Sequence, residues 1–314
     1  MMKPSLPPRS LVLAAASALA LAQAGAALAA ASDFDPALMA VYDRDYPSST
    51  AQYEALKAAA GGGETKTTAT LPNWKGTWTH NFEAPPFFTF GEGTVSNPTL
   101  TPEYGTSTAQ LTPEYQQRFD KKLADLRKGI EWDQLSNCLP AGFPRWLTEP
   151  FLREFIVTPE QTWMITEQQS EVRRIYTDGR GHIPEDEAYP LWEGDSIGFW
   201  KGDTLVIHTN NVKPGQYQRG QPDYSDKAST VELVRKIAPG KIEDVVVIYD
   251  PESLTKPYRA RFVYDQVEDP PRINMWSCNE NNNVVKTSEG ASDFILPGEA
   301  GYKDPNTIGH APAQ

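Results

Sequence analysis

From Arg153 onward the sequence is a succession of short β-type segments, and this run constrains the fold more than any other feature. Each segment is rich in β-branched or aromatic residues and is bounded by turn residues such as Thr158-Pro159-Glu160 and Trp200-Lys201-Gly202-Asp203. No helical periodicity separates the segments, which disfavours a parallel α/β sheet. We therefore predict a mainly β protein whose antiparallel neighbours close into a barrel, with a β-sandwich as the alternative. The segments are REFIVT, QTWMITEQ, EVRRIYT, DTLVIHTN, TVELVRKI, DVVVIYD, YRARFVYD and RINMWSC.

The segment Gly76-Thr77-Trp78 opens this region with a motif of its own. It resembles the G-x-W motif on the first strand of lipocalin-like barrels, where the tryptophan plugs one end of the barrel. The resemblance implies that the predicted barrel is lipocalin-like. The alternative is an ordinary strand tryptophan in a hydrophobic core.

The part of the chain before the barrel is predicted to be helical. Residues 30–70 are interpreted as a helical adapter and linker, with one helix from Ser49 to Ala60 that ends at Gly61-Gly62-Gly63. Residues 71–300 are assigned to a single β-rich domain, and residues 301–314 to a tail.

A longer helix is predicted for the segment TPEYQQRFDKKLADLRKG. Thr112 can cap its start, Pro113 suits the first turn and Gly129 suits the end. Its apolar residues form one stripe, so we expect it to pack one face on the body of the protein. Both helices belong to the N-terminal decoration of the barrel.

The first residues are typical of a secretory signal peptide, which we assign to residues 1–29. Lys3 and Arg9 form a positive start, Leu11–Leu21 is a short apolar region, and Ala27-Leu28-Ala29 fits a cleavage site. A membrane-anchored helix is the alternative. We predict a periplasmic or secreted protein.

The charge of the chain excludes some partners. The net charge is −12, and removing the two cations of the predicted signal peptide would bring it to −14. An acidic protein is a poor match for nucleic acid or for an anionic membrane surface. No second apolar stretch is long enough to cross a bilayer, so membrane insertion is not predicted. The oligomeric state is left open by the sequence.

The chain has two cysteines, Cys138 and Cys278. In an oxidising compartment an even pair usually forms a disulfide, and two free thiols are the alternative. A bridge would close a loop of 140 residues, which stabilises a fold by about 4–5 kcal/mol in the chain-entropy treatment.

One stretch, RRIYTDGRGHIPEDEAYPLWEGDSIGFWKGDTLVIHT, concentrates polar and aromatic residues between strands. Since side chains alternate between the faces of a strand, Arg174, Tyr176 and Asp178 share one face. If that face lines the barrel interior together with His208 and Glu232, the five side chains converge on one cavity. We predict His208 as a catalytic base, with Asp178 or Glu232 orienting it and Tyr176 and Arg174 stabilising negative charge.

Each of these residues also has a structural interpretation. Arg174 and Glu232 could simply satisfy buried partners, because an isolated buried charge is very costly. Tyr176 and Asp178 adjoin the tight turn TDGR, in which the aspartate can cap the backbone.

Aromatic residues flank the polar cluster. Trp192, Trp200 and Tyr189 are predicted to bind substrate, because an aromatic mouth around a few polar groups suits a small hydrophobic or aromatic molecule. Barrel core is the alternative for them. His182 is predicted to join them as a lid residue, with a metal ligand or a solvated loop residue as alternatives.

Known catalytic and cofactor motifs give no further assignment. The four histidines show no H-x-H or H-E-x-x-H spacing, and no G-x-S-x-G, P-loop or Rossmann pattern is present. We therefore predict neither a metal nor a cofactor.

Six motifs carry a resemblance to a known family: NCLPAGFPR, RRIYTDGRGH, WEGDSIGFWKGDTLVIHT, YSDKASTVELVRK, YDPESLTKPY and WSCNENNN. As an ordered set over residues 137–283 they resemble a large group of secreted bacterial hypothetical proteins. The resemblance implies that Cys138 and Cys278 recur as a pair, which supports the disulfide. It implies no activity, and this chain departs from the pattern at Asn279, where the group would have histidine.

Three functional hypotheses follow. The first is an exported, cofactor-independent enzyme that acts by acid–base chemistry on a small hydrophobic or aromatic molecule, as a lyase, isomerase or cyclase. The second is a periplasmic small-molecule binding or carrier protein. The third is a structural protein of the envelope whose polar cluster is a buried ion-pair network.

Overall fold

The computed structural model describes residues 34–81, 109–270, 272–274, 276, 278 and 283–303. The predicted signal peptide, Asn279 and residues 304–314 of the predicted tail lie outside the described residues, as does part of the segment RINMWSC.

A closed barrel of nine β-strands dominates the structure. The barrel order is β1-β11-β10-β9-β6-β5-β4-β3-β2, and β7 with β8 and β12 with β13 form two small separate sheets. The prediction of a mainly β barrel is confirmed, and the sandwich alternative is wrong. The strand bounds are β1 (Thr77–His80), β2 (Arg153–Val157), β3 (Gln161–Thr166), β4 (Val172–Tyr176), β5 (Asp195–Lys201), β6 (Thr204–Asn210), β7 (Gly215–Gln216), β8 (Asp223–Tyr224), β9 (Ser229–Ala238), β10 (Lys241–Tyr249), β11 (Tyr258–Gln266), β12 (Val284–Lys286) and β13 (Ser292–Phe294).

The prediction of a purely antiparallel barrel is wrong at one place. Strands β4 and β5 pair in parallel, through Ile175 with Ser196 and Tyr176 with Ile197. The other neighbouring strands of the barrel run antiparallel. The exception arises because residues 177–194 leave the wall after β4 and return beside the same end of that strand.

Three α-helices lie in the described residues: α1 (Pro36–Tyr42), α2 (Ser49–Ala59) and α3 (Pro113–Leu126). Helix α2 begins where the sequence predicts, and the side chain of Ser48 caps it by accepting a hydrogen bond from the Ala51 N–H at 3.1 Å. Short 3₁₀ segments occupy Gln134–Asn137, Arg145–Thr148 and Gln168–Ser170. None of the helices in the described ranges is long and apolar enough to span a membrane.

The barrel interior forms one hydrophobic core. It includes Trp78 of the G-x-W segment, which is fully buried and donates its indole N–H to the Trp74 carbonyl at 3.0 Å. Inward residues of β6, such as Leu205 and Ile207, belong to this core, and so does Ile175 of β4. These positions define which face of each strand points inward.

A second hydrophobic core lies on the outer face of the same barrel wall. Helices α1 and α2 pack there against β6, β9 and β10, and they bury residues such as Leu38, Leu56, Val206, Leu233 and Val247. Full burial of a side chain of this size stabilises a fold by about 1.5–3 kcal/mol. This second core explains why the central strands are apolar on both faces.

A disulfide joins Cys138 to Cys278. It ties the segment after the first 3₁₀ helix to the C-terminal part of the chain. The predicted pairing is therefore confirmed, and two free thiols are excluded.

Candidate functional site

A continuous chain of hydrogen bonds runs along the outer face of the barrel wall. Asp195 Oδ2 lies 2.7 Å from His182 Nδ1, and His182 Nε2 lies 2.6 Å from His208 Nδ1. His208 Nε2 then lies 2.9 Å from Ser49 Oγ. We call Asp195, His182, His208 and Ser49 the relay.

Three separate parts of the fold bring the relay together. Asp195 starts β5 and His208 lies in the neighbouring strand β6, where it pairs with Ile197. His182 lies in the connection between β4 and β5. Ser49 is the first residue of α2, the helix that covers this part of the wall.

The two strand residues face outward because their neighbours fill the interior. In β6 the side chains of Leu205, Ile207 and Thr209 point into the barrel, so that Val206 and His208 point to α2. The Tyr53 ring of α2 stacks on the His208 ring, with ring centroids 5.3 Å apart and planes 26° apart. This contact holds the imidazole plane in place.

Electrostatics separate the two ends of the relay. Burial, reinforced by the neighbouring His182, lowers the pKa of His208 to about 3, against a smaller opposite effect of Asp195. Burial raises the pKa of Asp195, but the hydrogen bonds from His182 and from the Ile183 N–H lower it by more. The pKa of this carboxyl group therefore lies below its usual value. The relay therefore begins at a carboxylate, and the imidazole next to Ser49 is neutral.

The histidine ring nitrogens allow two arrangements of protons. In the first, His182 donates from Nδ1 to Asp195 and accepts from His208, so His208 Nε2 accepts a hydrogen bond from the Ser49 hydroxyl, which must then give up its hydrogen bond to Ser229. In the second, His182 is doubly protonated, His208 Nε2–H donates to Ser49, and Ser49 donates to Ser229 Oγ at 2.8 Å. Only the first arrangement leaves a base next to Ser49.

The relay ends in a cleft of about 600 Å³ between the start of α2 and the ends of β6, β9 and β10. Ser49, His208 and Ser229 line it together with apolar groups from Tyr46 and Leu254. Ser49 and His208 are only 4% and 2% exposed. Ser49 and His208 therefore lie at the closed end of an open cleft, where a small molecule can reach them and bulk water is restricted.

The five side chains predicted to catalyse do not meet in one cavity. Arg174 is on the outer face of β4, with its guanidinium 5.2 Å from the Trp163 ring. Tyr176 lies beneath the Arg180 guanidinium at 4.1 Å. Asp178 is in an exposed turn, where it pairs with Arg180 and accepts from the Arg180 backbone N–H, in line with its structural interpretation.

Glu232 lies on the inner face of the wall, opposite the relay. It accepts two hydrogen bonds from the Arg173 guanidinium, at 2.6 and 2.8 Å, and both side chains are fully buried. Arg173 also donates to Thr209 Oγ1 at 2.7 Å. The inward arginine is thus Arg173 and not Arg174, which separates Glu232 from His208.

The aromatic residues predicted to bind substrate also do not lie together. Trp200 is a barrel-core residue that packs on Trp74, as its alternative interpretation predicts. Tyr189 is 64% exposed. Trp192 lies with Arg174, Tyr176 and His182 around a second cleft of about 580 Å³ on the other side of His182.

Sequence reasoning missed three parts of the relay region: Ser49, Asp195 and Tyr53. Ser49 stood at the start of a predicted helix, where a serine is usually a cap. Asp195 follows a Trp-Glu-Gly turn and carries no spacing signal to His182. Their relation depends on the packing of α2 against the barrel.

Metal ligation has no supporting cluster in the described ranges, where no three His, Cys, Asp or Glu side chains are grouped around a common point. The comparisons with known proteins add no assignment: no family model matches the sequence, and no curated protein is significantly similar to it.

Proposed function

We propose that this protein is an enzyme that acts by acid–base chemistry on a small hydrophobic or aromatic molecule, with His208 as the base. The observation that carries the proposal is the unbroken relay from Asp195 through His182 and His208 to Ser49 at the closed end of a cleft. A carboxylate, two imidazoles and a hydroxyl in this order form a path for one proton.

His208 is neutral at physiological pH, because burial lowers its pKa to about 3. Its unprotonated ring nitrogen can therefore accept a proton, but burial makes the imidazole a weak base unless the charge that forms is balanced. The positive charge that forms is shared with His182 and balanced by the Asp195 carboxylate, whose own pKa is lowered. The carboxylate therefore assists the base without taking the proton itself.

The cleft supports a small and largely apolar substrate. Its volume of about 600 Å³ is in the usual range for small-molecule sites, and Tyr46, Pro47 and Leu254 contribute apolar walls. The charged residues that line the cleft are two acids and two bases, Asp226, Asp250, Lys227 and Lys256, so their formal charges cancel. Lyase, isomerase and cyclase reactions that start with removal of a proton fit this site.

We also propose that the protein is exported, is related to the secreted bacterial group named above, and has a lipocalin-like barrel. The disulfide between Cys138 and Cys278 supports export, since such bridges persist in oxidising compartments. The buried Trp78 of the G-x-W segment supports the lipocalin-like relation. Detection of the protein in the periplasmic fraction would test the first of these points.

A binding or carrier protein is the second candidate. The open cleft favours it, because a cleft of this size can hold a ligand whether or not Ser49 and His208 react with it. In that case the relay would orient the ligand by hydrogen bonds alone.

The test is turnover of a mixed panel of aromatic, terpenoid and glycoside compounds, followed by mass spectrometry. We expect wild type to consume at least one compound and His208→Gln to be slower by about 10²- to 10⁴-fold, the usual contribution of a general base. His80→Gln is the matched control, because His80 is a second buried histidine that lies in β1, away from the relay. Circular dichroism checks that all three proteins are folded.

Equal turnover by wild type and His208→Gln would contradict the assignment of the base. A compound that binds to both proteins and is recovered unchanged would favour the carrier.

A further inference from the structure

We infer that Ser49 is a nucleophile and that the substrates of the cleft are small, uncharged carboxylic esters. This inference rests on the proposed function, since it needs His208 as a base. It goes further because it names the attacking atom, the covalent intermediate and the substrate class, and it makes the reaction a hydrolysis in place of a lyase, isomerase or cyclase reaction.

The geometry places Ser49 Oγ where a nucleophile is needed. The atom lies 2.9 Å from His208 Nε2, within hydrogen-bond reach of the base, and it lines the cleft. His208 in turn is oriented by His182, and His182 by Asp195. This is the order of nucleophile, base and orienting groups found in serine hydrolases, with one additional imidazole in the path.

The start of α2 supplies donors for the negative charge that develops on a carbonyl oxygen. The first N–H groups of a helix have no acceptor within the helix. Ala51 N–H is occupied by the Ser48 side chain, and Ser49 and Thr50, whose N–H groups belong to the same first turn, both line the cleft. The 11-residue helix adds its positive N-terminal potential at the same place.

The reaction balances with water as the one co-reactant. Ser49 Oγ attacks the ester carbonyl carbon while its proton passes to His208 Nε2. The bond from that carbon to the alcohol oxygen then breaks, and the alcohol leaves with the proton from His208. Water adds to the acyl-serine and gives one proton to His208. The carbon–Oγ bond then breaks, Oγ takes this proton back, and the carboxylic acid is released.

The cleft selects uncharged substrates of limited size. Tyr46, Pro47, Leu254 and Pro257 line it with apolar surface, and its charged residues include the Asp226–Lys227 ion pair. Esters of short carboxylic acids fit a volume of about 600 Å³.

The test is covalent labelling of the full protein with an alkyl fluorophosphonate, together with hydrolysis of p-nitrophenyl acetate. We expect one adduct per chain by intact mass spectrometry, located at Ser49 by peptide mapping. Ser49→Ala should lose the adduct, and His208→Gln should slow labelling by about 10²- to 10⁴-fold. Ser196→Ala is the matched control: Ser196 is a buried serine on the inner face of β5, and its loss should leave labelling unchanged.

Two results would overturn the inference: an adduct at a serine other than Ser49, or no adduct on the wild type. Peptide mapping of the wild type gives this answer even if Ser49→Ala does not fold. If His208-dependent turnover of the compound panel persists without an adduct at Ser49, the inference fails and the proposed function stands. If turnover is independent of His208, the proposed function fails.

Discussion

The barrel wall carries one polar cluster on its inner face and one on its outer face. The two clusters differ in whether one of their groups borders a cleft. On the inner face, Arg173 and Glu232 bind each other through two hydrogen bonds and are completely buried. On the outer face, the relay passes from Asp195 to Ser49 and stops at an open cleft.

This difference separates a structural cluster from the cluster that we propose to be reactive. The inner pair uses its charges on each other, so no group in it is left to meet a ligand. The outer relay ends in a hydroxyl that lines a cleft, next to a base that is neutral. By burial and charge alone, the inner pair would be the first candidate for a functional site. The contact of the relay with the cleft favours the outer face instead.

The largest effect is expected from breaking the inner pair. Arg173→Met leaves the fully buried Glu232 without its cation, and we expect a loss of about 3–5 kcal/mol in the free energy of unfolding. Arg174→Met is the matched control on the outer face of the same strand, with an expected change within about 0.5 kcal/mol. Urea unfolding of both variants measures the difference, and similar losses would remove the distinction between the two faces.

A smaller effect is expected from the base of the outer relay, and it depends on pH. Because the pKa of His208 is about 3 in the folded protein, below its ordinary value of 6.5, the folded state binds fewer protons than the unfolded state between these values. Stability that depends on His208 is therefore present above pH 6.5 and is lost as the pH falls toward 3. The loss is at most about 1.4 kcal/mol per pH unit.

His208→Gln has no proton to bind, so its stability should fall less steeply than that of wild type between pH 6.5 and pH 4. Urea unfolding at several pH values gives both slopes. His80→Gln provides a second histidine variant for comparison. Parallel slopes for wild type and His208→Gln would show that the imidazole is not buried in its neutral form.

The smallest effect on stability is expected from removing a single hydroxyl group on either face of the wall. Thr209→Val removes an acceptor of the Arg173 guanidinium, a hydrogen bond to a charged group that we expect to contribute about 1.5 kcal/mol. Ser229→Ala removes a hydrogen-bond partner of the Ser49 hydroxyl at the cleft, and we expect about 0.5 kcal/mol there because water can replace it. Thermal melting of the two variants ranks them, and a larger loss for Ser229→Ala would reverse the comparison.

Much of the fold could be predicted from the sequence because local rules determine it. Strands such as β9, β10 and β11 are dense in β-branched and aromatic residues, and α2 has a cap at its start and glycines after its end. Strand β5 was predicted only through its turn with β6, since Asp195 and Gly198 weaken a strand pattern.

The site could be predicted only in part because faces and distant partners are not local properties. In β6, Leu205, Val206 and Ile207 are all apolar, so alternation does not reveal which face is inside. The reason is the second core beneath α1 and α2. His208 was predicted from its position on a strand, but Ser49 reaches it from a distance of 159 residues in sequence.

The count of strands in the barrel has a consequence for the relay. Around a closed ring, strand direction can alternate without exception only if the number of strands is even, and this ring has nine. A closed barrel with an odd number of strands must therefore contain at least one parallel pair of neighbours, and a tight hairpin cannot join two parallel strands. In this protein the parallel pair is β4 and β5, and the long connection of residues 177–194 joins them. That connection contains His182 and places it in the relay. A barrel with an even number of strands and a tight hairpin at this position would lack the connection that contains this histidine.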